Sequence, residues 1–176
     1  VDLGKAGDHF FAMGAGMSFD AHVIKKVDRG SKWFMGAMAY VAHGVLEAFH
    51  YPFPLLKIES EDPVPVRTEG YLVIVANARY YGGHFKAAPR ASMEDGLLDV
   101  LVMKKKGFRH LIHYLSVMRY RDITRLADVD YFQCRRFKVT GVPEVAVHVD
   151  AEISGMTPCV FECVPQALKM IVPASR

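Results

Sequence analysis

Two acidic residues near the C-terminal end of the chain, Asp150 and Glu152, have a spacing that could support proton transfer. They follow the apolar segment 145–149, and alternate residues of an extended segment lie on the same face. We therefore expect both carboxylates to point into one site. In such a pair, like-charge repulsion can raise the pKa of one carboxylate and make it a general base for a hydroxyl proton. Two solvated acids at a turn are the alternative interpretation.

A second acidic feature is the turn Glu94-Asp95-Gly96, which lies between the apolar segments 71–76 and 97–103. The turn can direct the carboxylate of Asp95 and nearby main-chain carbonyls at a hard cation such as Mg²⁺, which prefers oxygen ligands. Asp-Gly is also a common turn former that needs no ligand. These residues alone do not distinguish a metal site from a turn without a ligand.

Two glycine-bearing segments could bring the backbone close to a phosphate group. The segment 14–19 begins Gly-Ala-Gly but lacks the third glycine of a dinucleotide fingerprint, and no acidic residue closes a βαβ unit at the required distance. A structural turn is at least as good an interpretation. The pair Gly82-Gly83, with His84 and Lys86, lies in a polar loop, where phosphate binding and an ordinary surface loop are equally acceptable.

The elements that must position these residues are mostly short strands. Apolar periodicity predicts helices at 20–29, 33–49 and 108–119. Strands are predicted at 55–60, 66–76, 97–103, 132–140, 145–149, 159–164 and 168–172. Strands outnumber helices and recur at intervals of about 8 to 12 residues, which is typical of a sandwich. We predict a mainly β fold with attached helices (α+β), an antiparallel β-sandwich rather than a parallel doubly wound sheet.

Length and composition indicate one globular domain over residues 1–176. Hydrophobic residues make up 51% of the chain and charged residues 23%, which excludes a disordered or fibrous protein. There is no apolar run of about 18 residues and no signal-peptide pattern, so we expect a cytoplasmic protein. The net charge of +3 is too small to indicate nucleic-acid binding. Basic residues at 104–109, 119–125 and 135–138 form either a solvated face or a surface for anionic lipid headgroups.

The segment 77–100 is the most specific motif in the chain. It begins at an asparagine, contains the Gly-Gly pair and ends in Asp-Gly-Leu-Leu-Asp-Val. This block resembles that of the diacylglycerol kinase catalytic family, which includes bacterial diacylglycerol kinases and the sphingosine and ceramide kinases. Gly14, Gly16, Asp20 and Ala21 also resemble the family's G-x-G-x-D-A segment, which faces the cleft between two domains, with two more residues between Gly16 and Asp20 here. The resemblance covers essentially the whole chain and implies the C-terminal domain of a two-domain lipid kinase.

The resemblance implies roles for five residues. Glu152 would accept the proton of the lipid hydroxyl and Asp150 would assist it, in a motif that reads D-G-E in the family and D-A-E here. Mg²⁺ would be held by the side chain of Asp95 and the main-chain oxygens of Ser92 and Leu97. If the family glycine is needed for a positive φ, an alanine at that position costs about 1 kcal/mol. The substitution would then weaken the motif without changing the fold.

The resemblance also implies what this chain does not contain. Phosphoryl transfer uses a glycine-rich loop, a metal ion and basic side chains to hold the nucleotide phosphates, and this sequence has no such loop. In the family, a G-G-D-G-T motif in an N-terminal α/β domain binds ATP. We therefore expect a fragment whose nucleotide-binding domain is missing, with a lipid as substrate, ATP and Mg²⁺ as cofactors, and a membrane surface as a peripheral partner.

Two other functions stay open. NAD kinases also join a nucleotide domain to a β-sandwich, and their substrate is a soluble dinucleotide. A stand-alone domain could instead bind lipid without catalysis, or assemble with another chain, including a second copy as a homodimer, through the surface that faces the cleft.

Overall fold

A computed structural model describes residues 1–26, 51–62 and 65–171, without the side chains of Lys25, Lys26 and Glu61. The helix predicted at 33–49, the end of the helix predicted at 20–29 and residue 172 of the last predicted strand lie outside the described residues.

The described residues form two six-stranded sheets in which neighbouring strands are antiparallel. The first sheet has the order β2-β1-β12-β9-β4-β5 and contains β1 (Leu3–Ala6), β2 (His9–Phe11), β4 (Leu55–Asp62), β5 (Val66–Gly70), β9 (Arg136–Val142) and β12 (Cys159–Val164). The second has the order β11-β10-β3-β6-β7-β8 and contains β3 (Gly14–Met17), β6 (Leu72–Ala76), β7 (Leu98–Met103), β8 (Val129–Cys134), β10 (Ala146–Val149) and β11 (Glu152–Met156). The predicted antiparallel, mainly β architecture is confirmed.

Helical segments accompany the second sheet. Helix α1 (Phe19–Lys26) follows β3 directly, and helix α2 (Phe108–Tyr120) connects β7 to β8 through the 3-10 turn Ile123–Arg125. Helix α2 agrees with the predicted helix to within one residue. None of the helices among the described residues is long and apolar enough to cross a lipid bilayer.

Strand β6 contributes side chains to two hydrophobic cores, one on each face of the second sheet. Val73 and Val75 belong to the core between the two sheets, whereas Leu72, Ile74 and Ala76 belong to a second core that includes buried residues of α2. All five side chains are buried. A strand that is covered on both faces has no solvent-facing positions, so its sequence is a continuous apolar run without alternation.

Two long predicted strands were wrong, because each consists of two strands in different sheets. The segment 66–76 breaks at Tyr71, where the chain passes from β5 in the first sheet to β6 in the second. The segment 132–140 breaks at Arg135, where the chain passes from β8 in the second sheet back to β9 in the first. At the first crossing, a Cβ on Gly70 would lie 2.6 Å from Cγ1 of Val102. Glycine therefore permits the close approach of the two sheets at this point.

The last predicted strand, 168–172, is also wrong over its described part. Residues 168–171 have no strand assignment. The main chain of Leu168 instead contacts the first residue, since its N–H donates to the oxygen of Val1 at 3.1 Å and its oxygen accepts from the Val1 ammonium group at 2.6 Å. The apolar sequence there was not sufficient evidence for a strand.

Candidate functional site

An apolar cavity of about 540 Å³ lies between the second sheet and helices α1 and α2. Cavities of roughly 300 to 1,000 Å³ are typical of small-molecule binding sites. Its described walls are formed mainly by aliphatic, aromatic and methionine side chains of β6, β7 and the two helices. These include Val23, Ile24, Leu72, Ile74, Met103, Phe108, Leu111, Leu115 and Met118. The cavity could therefore take the apolar part of a ligand.

Three polar side chains, Asp20, Tyr81 and His148, form a hydrogen-bonded triad on the wall of this cavity. The Tyr81 hydroxyl donates to Oδ2 of Asp20 at 2.5 Å and lies 2.6 Å from Nε2 of His148. Nε2 of His148 is in turn 3.1 Å from the same Asp20 oxygen. The His148 side chain is 4% exposed and that of Asp20 is 26% exposed, so the carboxylate is the accessible member.

The hydrogen bonds of the triad favour one tautomer of His148. With its proton on Nε2, the imidazole donates to Asp20, while the Tyr81 hydroxyl donates to the same carboxylate. Nδ1 is buried and has no hydrogen-bond partner among the described residues. A proton on Nδ1 would be a buried donor without an acceptor, which is costly.

Gly16 has no side chain, and the three groups of the triad occupy the space where a side chain would lie. Strand β3 pairs Gly16 with His148 on β10. A Cβ on Gly16 would lie 2.0 Å from Oδ2 of Asp20, 2.5 Å from the Tyr81 hydroxyl and 2.6 Å from Nε2 of His148. Any larger residue would displace all three groups, so the second glycine of the Gly-Ala-Gly segment is required by the site rather than by a turn.

The Asp150-Ala151 pair forms the tight turn between β10 and β11, and both residues line the same cavity as the triad. Val149 pairs with Glu152 across the hairpin, and Asp150 and Ala151 have φ values of 45° and 67°. Two central residues with positive φ indicate a type I′ hairpin turn, for which Asp-Gly is a preferred sequence. The prediction that Asp150 and Glu152 lie on one face of an extended segment is therefore wrong.

The carboxylate of Asp150 holds the loop between β2 and β3. Its Oδ2 accepts from the N–H of Ala12 at 2.7 Å, and its Oδ1 accepts from the N–H groups of Met13 and Gly14, both at 3.0 Å. Its own N–H donates to the Gly14 oxygen at 2.9 Å. Both oxygens are thus engaged with the backbone, whereas Glu152 begins β11 with an exposed side chain. The assignment of the two acids as a catalytic pair stays a prediction.

Replacing Ala151 by glycine should stabilise the domain. Alanine at φ 67° is in the left-handed region, which costs about 1 to 2 kcal/mol, partly offset by the greater entropy of glycine in the unfolded chain. We expect a net gain of about 1 kcal/mol, a rise in Tm of about 2 to 4 °C, in thermal unfolding. The control Ala146→Gly is at the first position of β10, where it pairs with Met156 of β11, and should lower stability by about 0.5 to 1 kcal/mol. Equal effects of the two changes would contradict this account of the turn.

The second acidic turn, residues 92–97, has an oxygen-rich arrangement. Oδ1 of Asp95 accepts from the N–H of Leu97 at 3.1 Å, and the hydroxyl of Ser92 accepts from the N–H of Glu94 at 3.3 Å. The hydrogen bonds of the described residues give no donor to the main-chain oxygens of Ser92 or Leu97. One exposed carboxylate and two such carbonyls are ligands that suit Mg²⁺. In residues 1–26, 51–62 and 65–171, this turn included, no cluster of three or more His, Cys, Asp or Glu side chains is placed to hold a metal.

Buried polar residues anchor this turn to the rest of the domain. The buried carboxylate of Asp2 accepts from the N–H of Gly96 at 2.7 Å and from that of Gln166 at 2.8 Å. The side-chain amide of Asn77, the first residue of the sequence motif, donates to the oxygens of Asp2 and Ala12, both at 2.9 Å. Asn77 thereby connects the turn at residues 92–97 to the loop that Asp150 holds.

A buried acid on β7 lies near the same turn. Asp99 accepts hydrogen bonds from the Tyr131 hydroxyl and from Nε2 of Gln133. Burial raises the pKa of Asp99, an effect opposed by these two hydrogen bonds and increased by the charge of Asp95. The guanidinium group of Arg90 lies 4.4 Å from the centre of the Tyr131 ring. A cation at Asp95 would relieve part of the negative charge that accumulates here.

Most of the chain, including the triad, both acidic turns and all the described residues of the cavity wall, matches one known family. It is described as the "YegS C-terminal NAD kinase beta sandwich-like domain", and the match covers residues 13–172. The chain belongs to this family. The β-sandwich in that description agrees with the two sheets of the structure, and the resemblance found in the sequence is confirmed.

Several relatives of this YegS-type domain are named as lipid kinases. A Bacillus subtilis protein named "Putative lipid kinase YtlR" is 26% identical over 92% of this chain and 54% of its own length. A Bacillus subtilis "Diacylglycerol kinase" is 22% identical over 100% of this chain and 58% of its own length. A crystal structure described as "a putative diacylglycerol kinase from Bacillus anthracis str. Sterne" has 25% identity and a TM-score of 0.67, over 94% of this chain and 54% of that one. The chain spans about half the length of the curated relatives it matches.

Sequence reasoning missed two members of the triad of this YegS-type domain. It singled out Gly82, Gly83, His84 and Lys86, whereas the preceding residue, Tyr81, is the one that enters the site. The two glycines, with φ of 56° and 82°, form the tight turn between Tyr81 and Phe85, whose main chains exchange two hydrogen bonds. The glycine pair thus closes a short loop that directs Tyr81 inward.

Proposed function

We propose that this YegS-type domain is the substrate-side half of an ATP-dependent lipid kinase, which phosphorylates the hydroxyl of diacylglycerol or a related lipid. The observation that carries the proposal is an apolar cavity whose lining also includes polar side chains and the hairpin turn of Asp150 and Ala151. The apolar part of the lining suits acyl chains, and the polar part suits the end of the lipid that reacts. The names of the relatives support the same class of substrate.

In the proposed reaction, Glu152 is the general base. Its carboxylate takes the proton of the lipid hydroxyl while the hydroxyl oxygen bonds to the γ-phosphorus, and ADP leaves with the electrons of the broken P–O bond. Asp150 acts through the backbone, because its carboxylate fixes the loop 12–14 against the turn that precedes Glu152. ATP, which supplies the phosphoryl group, would be held mainly by a nucleotide-binding domain outside this chain.

The cavity predicts a dependence on acyl-chain length. Leu115 lies on the cavity wall in α2, and a tryptophan there would fill space otherwise available to about two methylene groups. Excluding two methylenes costs about 1.6 kcal/mol, or somewhat more than tenfold in affinity. In the full natural chain, Leu115→Trp should therefore raise the KM for an 18-carbon diacylglycerol about tenfold and leave that for an 8-carbon diacylglycerol nearly unchanged.

Ser116 supplies the matched control for this experiment, because it is on the exposed face of the same helix. Ser116→Trp should leave the chain-length dependence as it is in the natural protein. If Leu115→Trp changed the KM for both lipids equally, or for neither, the cavity would not be the acyl-chain site and the proposal would lose its main support.

The proposed Mg²⁺ site at Asp95, Ser92 and Leu97 has a structural role and is tested by stability. A ligand at 100 times its Kd stabilises the folded state by about 2.7 kcal/mol, so Mg²⁺ should raise the Tm of the natural protein by several degrees. Asp95→Asn should abolish this rise. The neighbouring Glu94→Gln removes an exposed carboxylate outside the proposed ligand set and should preserve it. A Tm that is independent of Mg²⁺ in the natural protein would exclude the metal site.

Two of the basic residues at 104–109 form ion pairs with acidic side chains. Lys104 lies 2.7 Å from Asp130, and Lys105 lies 3.6 Å from Asp128. This pairing lowers the positive charge that these residues could present to anionic lipids. The peripheral membrane surface, the homodimer, the cytoplasmic location and the absence of nucleic-acid partners stay predictions.

The NAD kinase alternative has one observation in its favour, the family description itself. The cavity is mainly apolar, however, and a dinucleotide would present charged phosphates and polar sugars to it. A lipid therefore fits the described walls better than a dinucleotide does.

A further inference from the structure

Helix α2 and the loop before it form a segment without acidic residues. Residues 104–121 contain three lysines, three arginines and two histidines, but no aspartate or glutamate. Lys104 and Lys105 form ion pairs with acids outside this segment. The other four basic residues are exposed and form no ion pair with a described residue; they are Lys106, Arg109, Arg119 and Arg121. An excess of positive charge therefore remains on this side of the domain.

The exposed face of α2 adjoins the apolar cavity. Arg109, Ile112, Ser116 and Arg119 are all exposed, and their spacing of three or four residues places them along one side of the helix. Ile112 is 41% exposed and also lines the cavity. The cavity thus reaches the protein surface at Ile112, in the row that carries two of the arginines.

Tyr120 adds a large aromatic side chain to this face near the end of the helix. It is 79% exposed, and the guanidinium group of Arg119 lies 5.6 Å from the centre of its ring. Tyrosine side chains are enriched at the boundary between lipid headgroups and acyl chains. Basic residues beside exposed apolar ones are typical of a helix that lies on a membrane surface.

We propose that the exposed face of α2 docks on an anionic lipid bilayer. In the docked state the unpaired basic side chains lie near the lipid phosphates, and Ile112 and Tyr120 lie at the boundary between headgroups and acyl chains. Docking brings the opening of the cavity at Ile112 to the surface that contains the lipid. This inference rests on the proposed function for the use of the membrane as a source of substrate, but the docking itself needs no phosphate transfer.

The apolar side chains favour a bilayer over other negatively charged partners. A nucleic acid offers phosphates to the basic residues, but it offers no apolar phase to an isoleucine side chain. Binding to a membrane surface depends on both the buried apolar area and the attraction to anionic lipids. Both contributions are present on this one face, so both should be measurable separately.

The test is equilibrium binding of the full natural chain, without nucleotide, to vesicles of phosphatidylcholine alone or mixed equally with phosphatidylglycerol. The natural protein should bind the anionic vesicles more tightly. One basic residue near an anionic surface changes the affinity about fivefold. Arg109→Gln and Arg119→Gln should therefore each weaken binding to the anionic vesicles about fivefold, and the double variant should weaken it about 25-fold.

The apolar contribution has a different dependence on salt. Ile112→Ser should weaken binding to the anionic vesicles about fivefold, because it removes a partly exposed apolar side chain from the interface. Salt screens charges and leaves apolar burial in place. At high salt the effect of the two arginine substitutions should therefore disappear, whereas the effect of Ile112→Ser should persist.

Arg67→Gln is the matched control, because Arg67 is an exposed arginine on β5 in the other sheet. It should keep the natural affinity for both kinds of vesicle. Natural affinity in the double arginine variant would overturn the proposal. So would equal binding of the natural protein to both kinds of vesicle, or its displacement from them by a short DNA duplex that binds more tightly.

Two substrates separate this inference from the proposed function. Dihexanoylglycerol dissolves in water and needs no docking, so the double arginine variant should phosphorylate it at the natural rate and lose activity toward dioleoylglycerol in anionic vesicles. A protein that binds vesicles as expected but phosphorylates neither lipid would retain the docking surface and lose the proposed function. A double variant that phosphorylates both lipids at the natural rates would retain the proposed function and lose the docking surface.

Discussion

Replacing Glu152 by glutamine is expected to lower phosphate transfer to lipid by about 100-fold to 10,000-fold in the full natural chain, with little effect on stability. General-base catalysis contributes rate enhancements of this size, and glutamine has the same shape but cannot take the proton. The Glu152 side chain is exposed at the first position of β11, and surface substitutions usually change stability by less than about 0.5 kcal/mol.

The measurement is the initial rate of transfer from ATP to diacylglycerol, together with a thermal melt of the same samples. Glu144→Gln is the matched control, since Glu144 is an exposed glutamate in the loop before β10. It should keep the natural rate. If Glu152→Gln transferred phosphate at the natural rate, another group would have to be the base.

Asp150→Asn is expected to have the opposite signature, a large loss of stability. Its carboxylate accepts from three backbone N–H groups at 2.7 to 3.0 Å, whereas an asparagine turns an NH₂ group toward at least one of these donors. Hydrogen bonds to a charged group contribute about 1.5 to 3 kcal/mol each and are not fully additive. We expect a loss of about 3 kcal/mol, or a fall in Tm of about 6 to 12 °C.

Thermal unfolding of Asp150→Asn beside Asp8→Asn checks this result. The exposed Asp8 should be replaceable within about 0.5 kcal/mol. An unchanged Tm in Asp150→Asn, together with lost phosphate transfer, would contradict the anchoring role and give Asp150 a direct part in the chemistry.

The sheet architecture was largely predictable, because short apolar segments separated by turns carry strand propensity and spacing. The crossings between sheets at Tyr71 and Arg135 were not. Strand propensity continues through both positions, and the local pattern does not record which sheet a residue joins. Gly70 packs closely against Val102 at the first crossing. This is a tertiary contact between residues far apart in sequence, so the local sequence pattern does not reveal it.

The parts of the site formed by neighbouring residues in the sequence could be predicted. The parts formed by residues far apart in the sequence could not. The turn at Asp95 was located correctly, and its oxygens are compatible with the predicted Mg²⁺. The glycine in the family motif raised the question of a positive φ at Ala151, and the structure has a φ of 67° there. The triad was not foreseen, since Tyr81 and His148 are 67 positions apart and meet through the pairing of β10, β3 and β6.

The role of Asp150 shows how alternation can mislead. The expected extended segment is present as β10, Ala146–Val149, but the strand ends at Val149 and the chain reverses within two residues. Alternation beyond the end of a strand has no geometric meaning. The two acids therefore divide into a backbone anchor and an exposed side chain, which is why their substitutions are expected to differ.

ATP-dependent phosphorylation by the longest natural chain that contains this domain tests whether the protein is a lipid kinase. Diacylglycerol, monoacylglycerol, sphingosine, ceramide and NAD would be offered side by side, with labelled γ-phosphate followed into each product. We expect phosphate on at least one of the lipids and none on NAD. Phosphate on NAD alone, or on none of the five compounds, would contradict the lipid-kinase proposal.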